Sequence, residues 1–399
     1  MTEVSDAERL IAECMPPFGT TSISLSDAVG AILQEPINAE RDQPPFDRVT
    51  MDGIAIASGD WQQGMRSFQV IGTQGAGVGA LTLEEPGQCV EIMTGAVLPA
   101  NADSVIPVER FKRTSDEAVV QSSFEFSPGQ FVHLRGSDRK AGNQLLQPGI
   151  RLGAPEIAVA ASAGRMEIKV ARLPRVAVIS TGDELVDAGE PLADYQIRSS
   201  NDRAIEAALN QHRLAKVVRS RLKDDRETML EAVRELHNQN DLLILSGGVS
   251  MGRFDFVPSV LEELEIQVMF HRIDQRPGRP MWFGISQDSK PVFALPGNPV
   301  STTVCLYRYV LPALQQALGM QPAIIERLIL ASDVPFPADL TYFLPIVVGY
   351  NDEGTGIAKP RPTNTSGDLV SLAGTDGFVE LPRGQDLYPK GMVVRLFRW

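Results

Sequence analysis

Between residues 173 and 323, short apolar runs alternate with helical segments, and this alternation constrains the fold more than any other feature of the chain. Residues 175–180 (RVAVIS), a run near LAKVVRS, residues 241–246 (DLLILS) and the start of PVFALPGNPVSTTVCLYRYV read as strands. Helical periodicity separates them at 201–211, 225–237 and 256–264, and a long helix follows the last strand. Such spacing predicts a doubly wound parallel α/β sheet. Ligands of open α/β sheets bind outside the carboxyl ends of the strands. Three strands here run into unusual turns: Ser180-Thr181-Gly182-Asp183-Glu184-Leu185, Ser246-Gly247-Gly248-Val249-Ser250-Met251-Gly252 and Leu295-Pro296-Gly297-Asn298-Pro299-Val300-Ser301. Glycine lets backbone approach a ligand closely, and the N–H groups of a following helix start suit phosphate. One such turn is an ordinary strand end; three in one sheet point to a shared crevice.

Carboxylates gather near these turns, with Glu184 after the first strand, Asp224 before a helix and Asp255 beyond the second turn. Hard oxygens on several loops suit magnesium or proton handling. Asp224 and Asp255 are equally placed to cap the helices that follow them. The segment His271-Arg272-Ile273-Asp274-Gln275-Arg276-Pro277-Gly278-Arg279-Pro280 carries three arginines and two prolines. It reads either as an oxyanion clamp or as a solvated basic loop.

Around this unit the text differs. The first forty residues read as two short helices, one with a Ser5/Glu8 capping box and one that Ser26 opens ahead of Ala28, Val29, Ile32 and Leu33. After the break Gln43-Pro44-Pro45-Phe46, short apolar runs cut by Gly and Pro predict a β-rich insertion to about residue 140. Helical text returns at 140–172, and from about 324 short strands run to Trp399. Two segments outside the α/β unit look over-specified, Asp47-Arg48-Val49-Thr50-Met51-Asp52-Gly53 and Ile92-Met93-Thr94-Gly95-Ala96, although a plain turn and a hairpin end would also explain them.

A net charge of −13 argues against duplex nucleic acid, whose affinity rests on Lys and Arg neutralising phosphates. Any anionic substrate must then be met by a local basic pocket or by backbone N–H groups. Cys14, Cys89 and Cys305 form no C-x-x-C pair, and the four histidines show no paired spacing. Both facts disfavour zinc and favour magnesium as the metal, and the thiols fit a reducing cytoplasm. No apolar run is long enough to cross a bilayer, and the acidic start does not read as a signal peptide. From the residues alone the reading stops at an α/β enzyme for a phosphorylated anion.

The ordered series MDGIA, IMTGA, a G-x-D ending at Asp138, STGDEL, KDD, SGGVSMG, PG-x-P, LPGNPVS and SGDLVSL resembles the molybdopterin molybdenumtransferases, a family that includes the C-terminal domain of gephyrin. The likeness spans roughly residues 5–399. It implies four domains: 1–43 with 142–172, a β-rich insertion at 44–141, a pterin-binding α/β domain at 173–323, and a β-barrel-like domain at 324–399. The implied activity inserts molybdate into adenylated molybdopterin with release of AMP. Magnesium is the implied cofactor, and a molybdopterin adenylyltransferase is an implied partner. The resemblance also implies a homodimer whose cleft lies between the α/β domain of one subunit and the inserted domain of the other. Carried over by position, functional residues fall on Asp52, Thr94, Asp138, Glu184, Asp224 and Asp255, with Glu184, Asp224 and Asp255 as metal ligands. Arg272 and Arg276 would attract molybdate, Gly247, Gly248, Ser250, Gly297 and Asn298 would line the pterin, and Ser366 and Ser371 match the C-terminal signature. Two departures stand out. Arginines replace common lysines at 272, 276 and 279, and Gly136-Ser137 precedes Asp138 where an acid is common at the second place. Tungstate, nearly equal to molybdate in size and charge, stays open as the oxyanion. A single-domain adenylyltransferase or a nicotinamide-nucleotide amidase would share only the α/β portion, and a gephyrin-like scaffold would not need the site residues.

Overall fold

In a computed structural model describing residues 1–249 and 255–399, the alternating text forms a six-stranded sheet. Its elements are β1 (Arg175–Thr181), α1 (Asn201–Gln211), β2 (Lys216–Leu222), α2 (Arg226–Gln239), β3 (Leu242–Ser246), α3 (Val257–Glu263), β4 (Gln267–His271), β5 (Trp282–Ile285), β6 (Pro291–Leu295) and α4 (Pro299–Cys305). A π-helical turn at Leu306–Val310 joins α4 to α5 (Leu311–Ala317). The strand order is β2-β1-β3-β6-β5-β4, parallel through the first four, with β5 and β4 added antiparallel at one edge. Both faces are covered, so strand residues are buried in alternation on two sides. Val176 and Val178 of β1 enter one core, Ala177 and Ile179 the other. Register places Ser180 beside Ser246, and Ser246 beside Leu295. The three unusual turns therefore leave the sheet at one level.

This sheet belongs to the first of two compact units, Met1–Glu35, Pro148–Gly153 and Glu167–Trp399. Its larger core takes in Val4, Ala7 and Ile11 of the helix Val4–Cys14 and reaches Phe343, Phe378 and Phe397 near the C-terminus. There the strands Arg327–Leu330, Thr341–Tyr350, Gly356–Pro360, Gly377–Leu381 and Val393–Arg398 pair in a closed five-stranded circuit. Closure abolishes the sheet edge that five strands would otherwise expose.

Two expectations for the N-terminal segment need correction. The first helix is preceded by Glu3 and has no side-chain cap; Ser5 lies inside it, and Glu8 pairs instead with Arg308 at 2.8 Å. The helix expected after Ser26 is only a single turn, Leu25–Asp27. Gly30, at φ +79°, breaks it, after which Leu33 bonds to the Ile150 carbonyl and bridges Val170. Ala28, Ile32 and Leu33 are buried as expected of an apolar face, but the last two sit on extended backbone, where pairing with other strands outweighs helical propensity.

The second unit comprises Pro36–Gln147 and Ala154–Met166. Its sheet runs Ser104–Pro107, Gly53–Ile56, Gln88–Ile92, Ser67–Gln74, Glu117–Val120 and Phe111–Arg113. Apolar clusters cover both of its faces, around Phe68 and Ile106 on one side and Val49 and Val90 on the other. Gly53 lies so close to the Ile106 carbonyl that no Cβ fits there.

Candidate active site

The three strand-end turns of the first unit open on a cavity of about 960 Å³, whose wall includes Thr181, Gly247, Gly248, Gly297 and Asn298. Its glycines are dictated by space as well as by conformation. Gly247 (φ +99°) would place a Cβ 2.7 Å from the Thr181 carbonyl oxygen, and Gly248 (φ +63°) one 2.9 Å from Val257. Gly297 approaches Gly247 so closely that its Cβ would stand 3.4 Å from the Gly247 Cα. Asn201, at the start of α1, ties the turns together by donating to Ser246 Oγ and to the Gly297 carbonyl, both at 2.8 Å. Ser180 and Thr181 are buried on the cavity wall, and among the described residues their hydroxyls have no hydrogen-bond partner. Buried hydroxyls without a partner are costly, so these two are set to meet a polar ligand. Ser250 lies outside the described residues.

Across the cavity, Asn298 Nδ2 donates to Ser366 Oγ at 2.8 Å and the Val300 N–H donates to the Ser366 carbonyl at 3.0 Å. Ser366 thus joins the third turn to the loop that precedes Leu369–Leu372. Ser371 is not on the cavity wall. It donates to Asp368 Oδ2 at 2.5 Å, and Asp368 also accepts from Asn364, so Ser371 shapes the loop.

Glu184, Asp224 and Asp255 all line the cavity. The capping alternative for Asp224 is excluded, because its neighbour Asp225 caps α2 by accepting from the Thr228 N–H at 2.9 Å. The N-cap residue of α3 is Phe256, whose side chain makes no capping hydrogen bond. Burial pushes the Asp224 carboxyl above the usual aspartate range, and the charges of Asp183 and Glu184 push it further, with a smaller contribution from Asp255. Among the described residues no Lys or Arg forms an ion pair with Asp183, Glu184 or Asp224, and no three His, Cys, Asp or Glu side chains converge as a complete metal cage. Magnesium does not require such a cage; it takes one or two carboxylates and completes its shell with water and substrate phosphates. The crowded carboxylates of Glu184 and Asp224 fit that mode.

The arginine loop divides. Arg276 and Arg279 line the cavity, whereas Arg272 does not. Arg272 adopts φ +77° just after β4, and its backbone N–H and carbonyl bond to Met281 and Thr2. On the wall beside Arg276 stands Arg279, three residues on, with its guanidinium donating to Met1 Sδ at 2.8 Å. Gln275–Arg276 forms a two-residue strand parallel to Thr341–Tyr342, which pins the loop to the C-terminal barrel. Asn201, Ser180 and Thr181 escaped sequence reasoning as individual site residues; the Ser-Ser-Asn-Asp text opening α1 was the available signal.

In the second unit, Asp52 and Thr94 meet across 42 positions of sequence, Thr94 donating both its N–H and its hydroxyl to Asp52 Oδ1 at 2.6 Å. The Thr94 hydroxyl and N–H hold the Asp52 carboxyl below its ordinary range. Asp138 instead bonds to His133 Nε2 at 2.9 Å, and His133 Nδ1 lies 3.2 Å from Arg48. All three expected residues of this unit are exposed.

Comparison with known proteins agrees along the chain. Residues 2–164 match the MoeA N-terminal region (domain I and II), residues 177–316 a probable molybdopterin binding domain, and residues 327–398 the MoeA C-terminal region (domain IV). The molybdopterin molybdenumtransferase of Synechocystis sp. is 37% identical over 400 residues, covering 100% of both chains. That of Bacillus subtilis is 31% identical over 401 residues, covering 98% of this chain and 93% of its own. The crystal structure of a molybdopterin biosynthesis MoeA protein from Pyrococcus horikosii aligns at a TM-score of 0.83 and 31% identity, covering 100% of this chain and 99% of that one. With all three family regions present in order and full-length relatives above 30% identity, this chain belongs to the molybdopterin molybdenumtransferase family.

Proposed function

We infer that the chain is a molybdopterin molybdenumtransferase, which inserts molybdate into adenylated molybdopterin and releases AMP. The observation that carries this reading is one cavity with two kinds of wall: glycine turns suited to a phosphorylated ligand, and an arginine loop suited to an oxyanion. The turns at Gly247–Gly248 and Gly297–Asn298 offer backbone that can approach the pterin and its phosphates, and the hydroxyls of Ser180 and Thr181 supply polar partners beneath them. Arg276 and Arg279 both stand on that wall; the Arg276 guanidinium offers positive charge to molybdate, while the Arg279 guanidinium donates to Met1 Sδ at 2.8 Å and would have to leave it to reach the same oxyanion. Held there, molybdate reaches the dithiolene sulfurs in an oriented pair, and orientation is worth several orders of magnitude in rate. Two Mo–S bonds form while one molybdate oxygen leaves as water with the two dithiolene protons; a water molecule attacks the adenylyl phosphoanhydride, its P–O bond breaks, and AMP leaves.

One or two carboxylates from Glu184, Asp224 and Asp255 would hold magnesium, which when bound neutralises charge on the phosphoanhydride. The protein acts as a homodimer in which the Asp52–Thr94 pair and Asp138 serve the cleft of the partner subunit. It receives its adenylated substrate from a molybdopterin adenylyltransferase. A cytoplasmic setting is part of the same proposal: the three cysteines are free thiols, and no described helix is long and apolar enough to cross a membrane. A scaffold role is less favoured, because a scaffold has no need of buried cavity hydroxyls that find no partner among the described residues.

The test is reconstitution with adenylated molybdopterin, magnesium and either molybdate or tungstate. AMP release together with activation of an apo-molybdoenzyme is the expected result, and the better oxyanion identifies itself. Tight pterin binding with neither AMP release nor activation would overturn the reading. Mixing Asp52→Asn with Arg276→Glu subunits tests the dimer, since only a shared cleft lets two inactive variants restore one functional site.

A further inference from the structure

We propose that Gln275 and Tyr309 are positioning residues for the oxyanion clamp, holding the Arg276–Arg279 loop so that Arg276 stays on the cavity wall. The proposal rests on the clamp reading above. Arg276 and Arg279 are themselves exposed, and long exposed arginines keep a fixed direction only if the backbone beneath them is fixed. Gln275, next to Arg276, turns the other way and is 1% exposed. Its Oε1 accepts a hydrogen bond from the Tyr309 hydroxyl, while its Nε2 donates to the Pro277 carbonyl at 3.0 Å and lies 3.5 Å from Cys305 Sγ. A phenol that donates settles which end of the amide faces it, leaving the N–H₂ end to grip the loop. Burial raises the Tyr309 phenol well above its ordinary range, so it remains a donor at any working pH.

Tyr309 is fixed in turn. It lies in the π-helical turn Leu306–Val310, a local widening that often marks functional positions. Its neighbour Arg308 is anchored from both sides by Glu8 at 2.8 Å and Glu380 at 3.2 Å. The loop also has no slack at its middle. A Cβ on Gly278 would stand 2.5 Å from Cys305 Sγ and 2.6 Å from Gln275 Nε2, and Cys305 Sγ lies 3.7 Å from the Gly278 carbonyl. A chain of contacts thus runs from Arg308 over the Tyr309 ring, through Gln275, to Pro277, the residue directly after Arg276.

The test uses the full chain, saturating adenylated molybdopterin and a molybdate titration of AMP release. Wild type is compared with Tyr309→Phe, Gln275→Met, their double variant and Arg276→Glu. Tyr309→Phe should raise the molybdate KM about five- to tenfold, the size of one unmade buried hydrogen bond, with kcat within about twofold and the pterin KM unchanged. Gln275→Met should do at least as much, and the double variant no more than Gln275→Met alone, because the two act in series. A merely structural role gives a different pattern: loss of folded protein lowers kcat and leaves KM unmoved. Wild-type molybdate KM in both single variants, with Arg276→Glu unable to saturate, would overturn the positioning role and leave the clamp standing. Wild-type titration by Arg276→Glu would remove the clamp, and the positioning role with it.

Discussion

Asp224 and Asp225 are adjacent carboxylates to which the structure assigns opposite duties, and separating them is the most direct test of the site. Asp225 accepts the Thr228 N–H at 2.9 Å and caps α2. Removing such a cap costs about 1 kcal/mol of stability. For a unit of this size that lowers the unfolding temperature by about 2–4 °C. Asp225 is not on the cavity wall, so Asp225→Ala should keep AMP release within about twofold, the scale of a surface change away from the chemistry. Asp224→Asn should behave in the opposite way. It removes a charge that burial and the neighbouring Asp183 and Glu184 already disfavour, so stability at neutral pH should hold or rise slightly. It also turns the proposed magnesium-binding carboxylate into a neutral amide, and activity should fall by about 100-fold or more. Calorimetric unfolding and AMP release, measured on the same preparations, read both quantities. Equal activity losses in the two variants, or a cap-sized destabilisation by Asp224→Asn alone, would refute the division of roles.

Gly247→Ala forces a Cβ against the Thr181 carbonyl at φ +99°; it should cost about 1–3 kcal/mol and abolish pterin binding measured by fluorescence, and tight binding would refute the close-approach argument. Arg308→Met breaks the ion pairs to Glu8 and Glu380 and should destabilise the first unit by about 2–3 kcal/mol, somewhat below a fully buried pair; denaturant unfolding would show it, and an unchanged midpoint would contradict it. Asp52 is held below its ordinary range, so its stabilising contribution is complete above the ordinary aspartate pKa and fades as pH falls through the lowered one. Thr94→Val removes the hydroxyl bond and should move the Asp52 titration upward in a carboxyl NMR experiment; an unmoved titration would assign the depression elsewhere.

The α/β unit was legible in the sequence because its signal is local. Strands buried on both faces read as continuous apolar runs, and the turns that need glycine carry it, so β1, β3 and β6 and the three loops after them stand out in the text. The N-terminal segment was misread for the same reason in reverse. Ser26 through Leu33 has helical spacing, but Gly30 and two long-range bridges, to Arg151 and Val170, decide its path, and no local pattern carries partners more than a hundred residues away. Within the site, the sequence determined which chemistry was available: glycine turns, carboxylates and a basic loop. The tertiary structure decided which members of each group are used. It gave the helix cap to Asp225 and left Asp224 among like charges, set Arg279 rather than Arg272 beside Arg276, and stranded the hydroxyls of Ser180 and Thr181 without a protein partner among the described residues. Neighbouring residues on a turn face different directions, and direction is fixed by what packs behind them; for the arginine loop that support comes from Gln275 and Tyr309, thirty-four positions apart.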